Sequence, residues 1–169
     1  MRKGKGSIGI VGLGLIGGSL GLDLRALGWT VQGLVHRRST GERALERGLV
    51  DAVSTEPACL SGCDLVILAL PIPALLSPDP ALVRAISPGA VVTDVGSVKQ
   101  PVLEVWGRLH PRFVASHPMA GTASAGVEAG QMGLFRGRPW IATPDRSTDS
   151  TAVELVRQVA EELGSQWFS

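Results

Sequence analysis

The stretch Ser7-Ile8-Gly9-Ile10-Val11-Gly12-Leu13-Gly14-Leu15-Ile16-Gly17-Gly18-Ser19-Leu20 decides how the rest of the chain is read. Ile8 to Val11 is an apolar run of strand length, rich in β-branched residues, and it feeds directly into Gly12-x-Gly14-x-x-Gly17. Apolar residues then recur at Leu20, Leu24 and Leu27, the spacing of one helix face. Three glycines alone are a weak signal. A strand before them and a helix after them make the dinucleotide fingerprint. Gly12 is placed for the tight turn, Gly14 for close approach of a pyrophosphate, and Gly17 for close packing of helix on strand. The pyrophosphate is expected on the unpaired N–H groups and the positive dipole end of the helix. That makes Gly12, Leu13, Gly14, Leu15, Ile16 and Gly17 the candidate phosphate-binding residues.

Outward from this stretch, the first helix is predicted from Ile16 to Leu27, closed by Gly28, with a second strand from Thr30 to Val35. In NAD-binding versions of the motif an acidic residue about 20 positions past the fingerprint holds the ribose hydroxyls. Val35 and His36 stand there, and neither is acidic. The turn continues Arg37-Arg38-Ser39-Thr40, offering cationic and hydroxyl donors to a 2′-phosphate that a carboxylate would repel. His36, Arg37, Arg38 and Thr40 are therefore candidate contacts, and the predicted cofactor is NADP rather than NAD.

A short helix from Thr40 to Arg47 stops at Gly48. Asp64 to Pro71 then reads as the clearest buried strand, whose carboxyl end should lie beside that of the first. Leu70 and Pro71 are accordingly placed near the cofactor. Pro73, Pro78 and Pro80 restrict any helix between Ile72 and Ile86 to short pieces or to a start after Pro80. A strand from Ala90 to Asp94, a helix from Pro101 to Leu109, a short strand from Phe113 to Ser116 and a strand from Pro139 to Thr143 follow. Thr148-Asp149 can cap a helix running to Leu163, and Gln166-Trp167-Phe168 opens a further strand as the sequence closes. Alternating strands and helices predict an α/β fold: a Rossmann-type, doubly wound, mostly parallel sheet in a single domain over residues 1–169.

Composition sets the bounds. The chain has 169 residues, 44% of them hydrophobic and 18% charged, with a formal net charge of +1. That balance gives no general attraction to nucleic acid or membrane. No apolar stretch is long enough to cross a bilayer. Met1-Arg2-Lys3-Gly4-Lys5-Gly6 is basic and glycine-rich, lacks a cleavage site, and reads as a flexible start. Cys59 and Cys63 have no second pair to complete a metal site, so free thiols in a reducing cytoplasm are expected and no metal.

Two stretches fall just past strand ends, where open α/β sheets place their ligands: Asp94-Val95-Gly96-Ser97-Val98-Lys99 and Ser116-His117-Pro118-Met119-Ala120-Gly121-Thr122. The imidazole of His117, on a loop stiffened by Pro118, is the natural base near neutral pH. Ser97 is placed to orient that imidazole or to bond a substrate hydroxyl. His110 reads as structural or exposed. Lys99 receives no role, since a lysine at a helix start is commonly solvated.

Together the glycine motif, the Thr93-to-Lys99 run and the His117-to-Thr122 run resemble the prephenate/arogenate dehydrogenase family of tyrosine biosynthesis, most closely the cyanobacterial arogenate-using type. The likeness in order and interval spans essentially the whole chain. It implies an oxidative decarboxylation in which hydride passes to the nicotinamide, the ring carboxylate leaves as CO2 and the ring becomes aromatic. His117 would accept the hydroxyl proton, with Ser97 hydrogen-bonding in that arrangement. The resemblance also implies a helical second domain, absent from these residues, that dimerises the enzyme and supplies cations for the substrate's side-chain carboxylate. This chain would then be the cofactor half, a homodimer only with that domain present. Two details follow from the same comparison. His36 stands where NADP-using relatives tend to have arginine, which shifts the phosphate contacts to Arg37, Arg38 and Thr40. Ala123 follows Thr122 as in the arogenate type, where prephenate-type relatives often carry an acidic residue. Two other readings compete: another two-domain NADP-dependent dehydrogenase sharing only the glycines, and a non-catalytic NAD(P)-binding module.

Overall fold

The computed structural model describes residues 4–169. Of the flexible start expected over residues 1–6, residues 1–3 lie outside the described ones, and residues 4–6 run without regular structure into the first strand. That strand, β1 (Ser7–Val11), leads through the glycine turn to helix α1 (Leu15–Ala26). Then come β2 (Thr30–Leu34), α2 (Arg38–Glu46), β3 (Ala52–Ser54), a single 3-10 turn (Pro57–Leu60) and β4 (Leu65–Leu68). The prolines divide the next segment as expected into two short helices, α3 (Ile72–Leu76) and α4 (Pro80–Ala85). Pro73 and Pro80 each sit in a first turn, where a missing N–H costs nothing. The chain continues through β5 (Val91–Asp94), α5 (Gln100–Leu109), β6 (Phe113–Val114), β7 (Ser116–Pro118), β8 (Pro139–Ala142), α6 (Ser150–Glu162) and β9 (Gln166–Phe168).

Six strands form one sheet in the order β3-β2-β1-β4-β5-β6, every pair parallel. This is the 3-2-1-4-5-6 order of the Rossmann fold, in which the strand order, built outward first one way and then the other, reverses between β1 and β4. The predicted neighbourhood of those two strand ends holds, with Val11 in register with Leu68. Period-two alternation of the side chains sends Ile8, Ile10, Leu65 and Ile67 to one face, against Leu20 and Leu24 of α1 and Val156 and Val159 of α6. Val11, Val66, Leu68 and Val92 go to the other face, against Leu75 of α3, Leu82 of α4 and Trp106 of α5. Both faces are covered, so central strands such as β4 are buried at every position. Cys59 and Cys63 are free thiols under this sheet, and burial pushes the Cys63 thiol up to about 11.

The structure corrects the sequence reading in two places. β3, which pairs with β2 at the sheet edge, carries no strong apolar signal and was not anticipated. The single strand expected from Phe113 to Ser116 is in fact two. The chain leaves the main sheet at Ala115, and β7 joins a second sheet in the order β7-β8-β9. There β7 runs antiparallel to β8 and β9 runs parallel to it. His117 therefore stands on a strand opposite Ile141, rather than on a loop. Capping of α6 falls to Asp149, whose carboxylate accepts from the N–H groups of Thr151 and Ala152.

Candidate active site

The glycine turn adopts the geometry its sequence anticipates. Gly12 has φ of +91°, and a side chain there would meet the Ala69 carbonyl oxygen at 2.5 Å. A Cβ on Gly17 would stand 1.9 Å from the Gly12 carbonyl oxygen, so helix and turn touch backbone to backbone. At Gly14 the space is open, the nearest atom to such a Cβ being the Gly126 nitrogen at 4.0 Å. The first intrahelical bond runs from Gly18 N to Gly14 O at 2.8 Å, which leaves the N–H groups of Leu15, Ile16 and Gly17 without helical partners. No acidic side chain occupies that first turn. The donor set and the open cradle at Gly14 fit a pyrophosphate.

A cavity of about 570 Å³ opens from this turn along the carboxyl ends of β1 and β2. Gly12, Leu13, Gly14, His36, Arg37, Thr40 and Leu70 line it. Arg38 lies outside the lining with its guanidinium on Glu42, 91% exposed. Pro71, Leu15 and Ile16 are also outside the lining, the last two standing at the start of α1. Sequence reasoning missed the far wall. Thr55 and Pro57 approach from the edge beyond β3, and Asp79 and Leu82 from α4. Gly126 and Val127 close the remaining side. Their segment is tied to α2 by Arg47, which donates to the carbonyls of Val127 and Gly130 at 2.8 and 2.9 Å.

Ser97 and His117 do not line that cavity; they lie together beyond the end of β5. Asp94, fully buried at the end of β5, is what brings them together. Its Oδ2 accepts from the N–H of Gly96, next to Ser97, at 3.0 Å. Its Oδ1 accepts from the N–H of Ser116, next to His117, at 3.1 Å. Lys99 Nζ also donates to Oδ2. Three donors converge on this carboxylate and none of its contacts accepts a proton, so the arrangement suits the ionised form. Burial raises the Asp94 carboxyl above its ordinary value and lowers the Lys99 ammonium, while their pairing opposes both shifts. Lys99 is thus no solvated helix start: its side chain is 15% exposed and spans two elements of the site.

The Ser97 side chain is exposed and makes no hydrogen bond to another described residue. His117 is half-buried, and its ring likewise has no hydrogen-bond partner among the described residues. Burial lowers its pKa from the ordinary 6.5, the charge of Lys99 lowers it further, and Asp94 opposes them. An imidazole in that setting is neutral at physiological pH and free to accept a proton. His110, by contrast, is structural: it is buried, with Nε2 at 3.0 Å from the Ser87 carbonyl and Nδ1 accepting from Arg112 N.

The model of the prephenate dehydrogenase nucleotide-binding domain matches residues 20–168. The chain belongs to the prephenate dehydrogenase family. The cyclohexadienyl dehydrogenase of Zymomonas mobilis is 33% identical over 164 residues, covering 94% of this chain and 56% of that protein. The crystal structure of Synechocystis arogenate dehydrogenase superposes with a TM-score of 0.85 at 37% identity, covering 96% of this chain and 59% of that one. Prephenate dehydrogenase from Aquifex aeolicus, solved with hydroxyphenyl propionate and NAD+, gives a TM-score of 0.90 at 31% identity, covering all of this chain and 61% of that one. The chain therefore spans somewhat under two thirds of the length of these relatives.

Proposed function

We propose that this chain is the cofactor-binding part of an NADP-dependent dehydrogenase that oxidatively decarboxylates arogenate or prephenate. The observation that carries the reading is the Asp94 carboxylate, which holds the Ser97 turn and the His117 strand at one place beyond the carboxyl edge of the sheet. A neutral imidazole there accepts the proton of the substrate's ring hydroxyl, and the free hydroxyl of Ser97 bonds the same oxygen. When bound, the nicotinamide supplies the hydride acceptor. The fingerprint residues Gly12 to Gly17 would hold its pyrophosphate, and His36, Arg37 and Thr40 its 2′-phosphate. Residues 7–169 act as the nucleotide-binding domain, and a further helical domain completes the substrate pocket and the dimer.

The cofactor preference is tested by titrating the chain with NADP+ and with NAD+ in a calorimeter. A charge-assisted hydrogen bond contributes about 1.5–3 kcal/mol, so NADP+ is expected to bind at least about tenfold more tightly. Arg37→Ala should remove most of that preference and leave NAD+ binding unchanged, whereas Arg38→Ala should change little because its guanidinium lies outside the cavity. Superimposable NADP+ and NAD+ curves would discard the NADP assignment.

A further inference from the structure

Ser116, the residue before His117, has every polar group tied down. Its N–H goes to Asp94 Oδ1 at 3.1 Å, and its hydroxyl meets Thr93 Oγ1 at 2.7 Å and Trp140 Nε1 at 3.0 Å. Its carbonyl accepts from Lys99 Nζ at 2.7 Å. This last bond is the one made by a long side chain from outside the two sheets. Lys99 reaches from the start of α5 to the carbonyl that immediately precedes His117, while its charge rests on Asp94 in β5.

We propose that Lys99 is a positioning residue for His117: seated on Asp94, its ammonium holds the Ser116 carbonyl, fixes the strand on which the imidazole stands, and sets a positive charge beside that imidazole. The proposal rests on the reading of His117 as the proton acceptor. The electrostatics agree with the geometry. Lys99 and Asp94 are the charged groups that act on His117, and the ammonium outweighs the carboxylate. The strand paired with β7 presents the uncharged residues Pro139, Trp140, Ile141 and Ala142. A cation next to a base keeps that base unprotonated, because protonation would place two positive charges side by side.

Nuclear magnetic resonance of the chain reads this directly, because it contains three histidines, each assignable by its His→Gln variant. In Lys99→Met the His117 imidazole should titrate about one unit higher, a tenfold change in its proton affinity, since Asp94 is left unopposed. Lys99→Arg keeps the charge and should restore the original midpoint, and the midpoint of the buried His110 should not move in either variant. If Lys99→Met fails to fold around a lone buried carboxylate, Asp94→Asn with Lys99→Met removes both charges and should still raise the midpoint, by a smaller amount. An unchanged His117 midpoint in a folded variant overturns the proposal. In the full-length protein, the acid limb of kcat/KM should shift by the same interval as the midpoint. A shifted midpoint with an unshifted limb overturns it by a different route, showing the coupling to be real and His117 not to be the base.

Discussion

At the scale of the residue, the decisive contrast is between His117 and His110. Both titrate below the ordinary value, and for both burial is the largest cause. His110 spends both ring nitrogens on the protein, whereas the His117 ring has no partner among the described residues. A free, half-buried imidazole is available for chemistry; a saturated one is not. In the full-length protein His117→Asn should therefore lower turnover by about 10²–10⁴-fold, the usual contribution of a general base. NADP+ affinity and melting temperature should barely change, since the fingerprint holds the cofactor. The sign of the pH dependence follows from the direction of the shift. A base works only when neutral, so turnover falls as pH drops through a pKa lying below 6.5. Steady-state rates per cofactor-binding site, paired with a melting curve, check both statements. Normal turnover per site in His117→Asn would remove this residue from the reaction.

At the scale of the element, the turn between β1 and α1 shows that glycines of one motif are not equivalent. A methyl on Gly17 would drive into the Gly12 carbonyl at 1.9 Å, with no flexible side chain to yield. Gly17→Ala should cost about 3 kcal/mol or more, the upper end for overpacking, because backbone must move to relieve it. Gly14→Ala meets nothing closer than 4.0 Å and should fold with an unchanged melting temperature. Its methyl would instead stand where the pyrophosphate approaches, so NADP+ binding should weaken markedly. Thermal unfolding and cofactor titration of the two variants separate the packing glycine from the ligand glycine. Equal losses of stability in both would contradict this division.

At the scale of the whole molecule, the parallel sheet and the small second sheet do different work. The first provides the turn, the cavity and the crossover between β1 and β4 at which dinucleotides bind. The second, joined to it through Ala115 and the Asp94 carboxylate, carries His117. Where the two sheets meet, Ser97 is exposed and His117 is half-buried. With 56% to 61% of the length of its relatives, the chain is expected to bind NADP+ but to turn over neither arogenate nor prephenate by itself. NADPH formation followed by absorbance in the presence of either substrate tests this. Sustained turnover by the chain alone would show that no further domain is needed to complete the site.

Much of this was legible in the chain alone, because it depends on local pattern. The strand, glycine turn and helix at Ser7 to Leu20 fix dinucleotide geometry through φ angles and close contacts that only glycine permits. The buried run of β4 and the proline stops around α3 and α4 are likewise written in consecutive residues. The basic turn at His36 to Thr40 was visible too, but only the fold separates Arg37, in the cavity wall, from Arg38, turned out to Glu42 on the same helix. Side-chain direction on a turn is set by where the helix begins, and one residue of difference decides it. The split of the Phe113-to-Ser116 strand was hidden for a related reason: two short strands in series have the same apolar pattern as one, and only their partners tell them apart. Lys99 and Asp94 look like a surface lysine and a strand-end aspartate until β5, α5 and β7 converge. Their pairing joins residues from three elements around one buried carboxylate, a long-range arrangement that tertiary packing alone creates.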